Sequence, residues 1–104
     1  MEESQQVVYR YTIDLNHEPR LQIPWHPVSR VVHTALLDGT PDWVHFWVAM
    51  PLGELPFKRT FYVVGTGTPF PASDVVEGVT VFEGRNGGRP VWQLIRHEPG
   101  HTYN

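Results

Sequence analysis

Residues 28–50 read VSRVVHTALLDGTPDWVHFWVAM, two apolar runs interrupted by Asp38-Gly39-Thr40-Pro41-Asp42. Asp-Gly between apolar runs is a strong short-range signal for a β-hairpin, so Val28–Leu37 and Trp43–Met50 are expected to be its arms. The second arm is apolar on both sides. Trp43, His45, Trp47 and Ala49 alternate with Val44, Phe46, Val48 and Met50. A strand of this kind is normally covered on both faces, which predicts either the centre of a barrel or a subunit interface. The register across the hairpin sets the place of two histidines. Direct pairing of 33 with 45 puts both imidazoles on one face, and a shift of one residue separates them. The sequence leaves both registers open.

Outward from the hairpin, the pattern stays β. Val7–Leu15 alternates Val7, Tyr9, Tyr11, Ile13 and Leu15 with Val8, Arg10, Thr12 and Asp14, the period of a half-buried strand. Leu21–Ile23 reads as a short edge strand closed by Pro24 and Pro27. Lys58–Val64, Val79–Phe82 and Pro90–His97 follow as further strands, with Gly65–Pro71 and Gly84–Arg89 as turns. Ala72-Ser73-Asp74 has room for a single helical turn that Val75, Val76 and Gly78 do not extend. Nine glycines and ten prolines, well above the ordinary share of roughly one residue in eight, leave no space for long helices. The expectation is one all-β domain over 1–104, an antiparallel sandwich or small barrel of six to seven strands, with 1–6 and 98–104 frayed.

Composition narrows the chemistry. A net charge of −3 supplies no basic field for nucleic acid, and no apolar run reaches the ~20 residues of a membrane span. The absence of cysteine excludes a disulfide scaffold, a thiol nucleophile and thiolate metal sites. The acidic opening Met1–Gln6 has no secretory character, which points to the cytoplasm.

Candidate sites are weak. His97 and His101 have the spacing of a helical zinc pair, but Pro99 and Gly100 forbid the helix. His33 and His45 lack an evident third ligand, so a metal-dependent hydrolase is disfavoured and neither metal nor cofactor is expected. No serine lies in a nucleophile elbow and no carboxylate pair is local, so no catalytic residue is assigned. Gly65, Thr66, Gly67 and Thr68 end a strand with backbone N–H groups and hydroxyls that suit an anion. With Arg59 they make a candidate site for a small ligand such as a nucleotide signal. The largest signal is aromatic: four tryptophans, four tyrosines and five phenylalanines in 104 residues. Such side chains dominate binding hot spots, and Trp25, Trp43, Trp47, Tyr9 and Tyr11 are the expected partner-binding set, with Trp25 on a proline-flanked surface loop. Apolar strand faces and open sheet edges also predict a homo-oligomer.

Several pieces resemble a family of short uncharacterised bacteriophage proteins: Val8-Tyr9-Arg10-Tyr11, Val31-Val32-His33, Phe46-Trp47-Val48, Arg59–Gly67 and Val91-Trp92-Gln93-Leu94. The Val-Gly-Thr-Gly-x-Pro piece at Val64–Pro69 is the most specific. Members often carry histidine where this chain has Thr68, so no essential histidine is expected there. The resemblance implies a phage-encoded accessory protein inside a bacterial host, a non-catalytic binder of a host or phage protein. It supplies no catalytic residues.

Overall fold

The computed structural model describes residues 5–17, 19–36, 42–53, 55, 57–65, 67–81 and 91–98. Their strands are β1 (Gln6–Asp14), β2 (Arg20–Trp25), β3 (Arg30–Leu36), β4 (Trp43–Pro51), β5 (Phe57–Gly65), β6 (Val75–Val81) and β7 (Val91–Arg96). They form two antiparallel sheets: sheet A in the order β1-β4-β3 and sheet B in the order β2-β5-β7-β6. The chain is an all-β sandwich. Among the described residues no helix is long and apolar enough to cross a membrane.

The core lies between the sheets and follows the period-two pattern. Phe46, Val48 and Met50 of β4 and Ile13 of β1 face Ile23 and Trp25 of β2, Phe61 of β5 and Leu94 of β7. Phe61 is its hub, with ring centroids 5.1 Å from Phe46 and 5.4 Å from Trp25. Fully burying each such ring contributes roughly 1.5–3 kcal/mol. Arg96, also on β7, lies over the Trp25 ring and pairs with Glu77 at 2.7 Å and Glu98 at 2.8 Å.

Several expectations need correction. Trp25 is not on a surface loop; it ends β2 and is 3% exposed. β2 is an edge strand, where Pro24 takes no ladder donor from a neighbour, so the proline did not stop it. β6 starts at Val75, four residues earlier than the pattern suggests, because a bulge between Val76 and Gly78 breaks the alternation. Residues 71–74 form a turn closed by Asp74 N–H to the Pro71 carbonyl at 3.0 Å, not a helix. Gln6 pairs with Pro51, and the Glu98 N–H donates to Asp74. The turns at 38–41 and 84–89, with Arg85, Arg89 and His101, lie outside the described residues.

Candidate functional site

The outer face of sheet A is built by the alternate residues of three strands. In β4 these are Trp43, His45, Trp47 and Ala49. Asp14, Thr12, Arg10 and Val8 of β1 stand beside them in that order. On the other flank, Ala35 pairs with His45, His33 with Trp47 and Arg30 with Ala49, across a bulge between Val31 and His33. His33 and His45 therefore share a face without pairing directly. The imidazole of His33 is 5.1 Å from the Trp47 ring, and that of His45 is 6.5 Å from it and 6.3 Å from Trp43. Among the described residues no group of three or more His, Cys, Asp or Glu side chains is placed to hold a metal ion.

No further layer of described residues packs over this face. Trp43 is 42% and Val8 53% exposed, while His45 is buried by its own neighbours. The Thr12 hydroxyl lies 2.8 Å from His45 Nδ1. Burial, and then the nearby Arg10 cation, lower the His45 pKa, so the ring is neutral at physiological pH. The face is therefore aromatic and uncharged at its centre. Arg10 and Arg30 stand at one end, and Asp14 and the neighbouring turn residue Asp42 at the other.

The expected partner-binding residues do not all meet. Trp43 and Trp47 share the outer face. Tyr9 and Tyr11 point to the opposite side of sheet A, paired with Val48 and Phe46. Tyr11 packs on Phe46 at 5.8 Å, and burial raises its pKa, helped by Tyr9. Tyr9 remains half exposed beside it, and Trp25 is in the core.

The ligand set is also divided. Arg59 and Gly65 stand six residues apart on β5, roughly 20 Å along an extended strand. Arg59 turns to Glu98, 3.9 Å away, and lies over the Phe57 ring. Gly67 has φ +89°, which only glycine adopts without strain, and the Thr68 N–H donates to the Gly65 carbonyl at 3.0 Å. That donor is thus unavailable to an anion. Thr66 lies outside the described residues.

A constellation absent from the sequence reading occupies the outer face of sheet B. Asp74, whose side chain is 1% exposed, accepts hydrogen bonds from the Tyr62 hydroxyl, from His97 Nδ1 at 3.1 Å and from the Glu98 N–H at 3.0 Å. Burial opposes its ionisation, but the Tyr62, Glu98 and His97 donors outweigh burial and hold its pKa below the usual carboxylate range. Tyr62 is pushed up to about 12, first by burial and then by its bond to Asp74. Arg20 of β2 lies over the Tyr62 ring, 4.9 Å from its centroid. These four side chains border a cleft of about 310 Å³ that Val64, Pro69, Phe70 and Pro71 also line. Tyr62 and Asp74 are 12 residues apart and His97 a further 23, so no local motif announces them. The pairing of β5, β7 and β6 brings them together.

No curated protein and no solved structure matches the chain. A family model does match, across residues 4–98, and the chain belongs to the family described as domain of unknown function DUF7352.

Proposed function

We propose that this is a phage-encoded accessory protein acting in the cytoplasm of a bacterial host, where it binds a host or phage protein without catalysis. The binding surface is the outer face of sheet A. The observation that carries this reading is the aromatic row of Trp43, His45 and Trp47, with Trp43 exposed and Trp47 half-buried, flanked by His33 and the arginines Arg10 and Arg30. Tryptophan and arginine dominate binding hot spots, and a neutral aromatic centre is inexpensive to desolvate. The two arginines favour a partner that presents carboxylates beside apolar side chains. The resemblance to short bacteriophage proteins supports the setting.

Self-association belongs to the same reading. A two-fold axis between two such faces, perpendicular to the strands, sets the Arg10 and Arg30 end of one copy over the Asp14 and Asp42 end of the other. The test is direct titration of the partner captured by the wild-type chain, once purified. Trp47→Ala and Arg10→Glu are each expected to weaken binding by about tenfold or more. Arg10 is exposed, so its variant reports on binding rather than folding. Unchanged affinity in both, with loss in Val76→Arg on the outer side of sheet B, would place the interface elsewhere.

A further inference from the structure

The cleft on sheet B has both cationic and apolar lining. Arg20 stands at its edge, stacked on Tyr62, and among the described residues no carboxylate lies within ion-pair distance of its guanidinium. Among the described residues, Asp74 is the single carboxylate bordering the cleft, and it is engaged by three donors. His97 is fixed twice, by Nδ1 on Asp74 and by its backbone N–H on the Thr60 carbonyl at 2.8 Å. Because the Nδ1–H donates to the Asp74 carboxylate, Nε2 is the polar atom the ring has left, an acceptor for a donor group on a ligand. Val64, beside Tyr62 on β5, and Pro69, Phe70 and Pro71 complete the lining with apolar surface.

We propose that this cleft binds a small organic anion bearing a flat ring, its anionic end held by Arg20 and its ring laid against Phe70 and the prolines beside His97. The volume of about 310 Å³ is at the lower end of the range for small-molecule sites. Arg20 supplies a planar fork suited to phosphate or carboxylate. Asp74 and Tyr62 are positioning residues: they hold His97 and floor the cleft without needing to touch the ligand. The site is separate from the outer face of sheet A, so its failure would leave the protein-binding reading intact.

The test is a series of amide nitrogen–proton NMR titrations of the full chain with adenosine monophosphate, benzoate and inorganic phosphate. Saturable shifts at Arg20, Phe70, Asp74 and His97 are expected with at least one ring-bearing probe. Which of the two it is assigns the anionic group as phosphate or carboxylate. Arg20→Ala, an exposed position, should weaken that binding by about tenfold or more, and Phe70→Ala should weaken it as well. Absence of shifts with both ring-bearing probes, unchanged affinity in Arg20→Ala, or equal affinity for inorganic phosphate would overturn the proposal.

Discussion

Asp74 ties three parts of sheet B to one carboxylate: the end of β7 through His97 and Glu98, the middle of β5 through Tyr62, and the turn into β6 through its own backbone. A buried acceptor with three donors is costly to lose, so Asp74→Asn should destabilise the fold by about 1–3 kcal/mol at neutral pH. Its folded pKa is lowered, so this stabilisation is complete above the unfolded carboxylate value near 4 and disappears as pH falls through the folded one. Urea midpoints should therefore show wild type and Asp74→Asn far apart at pH 7 and converging in acid. A gap that stays constant down to acid pH would contradict the assignment. This network was not legible in the sequence, since Tyr62, Asp74 and His97 each sit in unremarkable local company. Trp25 is illegible for the opposite reason, because its proline neighbours imitate a loop on what is an edge strand.

At the scale of elements, β1, β4 and β5 are legible in the sequence as strands, because they run nine residues each without a bulge. The edges were harder to read. β3 and β6 each carry one extra residue, at Val32 and Glu77, and these bulges face a shared cavity of about 340 Å³ where the sheets meet. Gly78 fits there because Thr34 is against it; a Cβ at 78 would lie 2.8 Å from Thr34 Cγ2. Glycine in a strand ordinarily costs stability relative to alanine, by roughly 0.5–1 kcal/mol. Here the sign reverses. Gly78→Ala should destabilise by about 1–3 kcal/mol, since the β-branched Thr34 has little rotamer freedom with which to yield. Adding Thr34→Ala should restore part of the loss, a coupling that a double-mutant cycle in urea would measure. A stabilising Gly78→Ala would show that the two strands do not approach closely.

For the whole molecule, each sheet packs one face into the shared core, and of the two outer faces only that of sheet A carries tryptophan. The doubly apolar pattern of Trp43–Met50 was visible in the sequence and pointed to a covered or binding strand. Which aromatics share that face needed the register, which sets Trp43 and Trp47 outward and Tyr9 and Tyr11 inward. Placing a photo-reactive amino acid at position 43 or at position 76, on opposite outer faces, and irradiating bacterial cells that express each variant tests the binding face most directly. A specific covalent adduct with another protein chain from position 43, and none from position 76, is the expected result. No adduct from 43, or the same adduct in equal yield from 76, would contradict it.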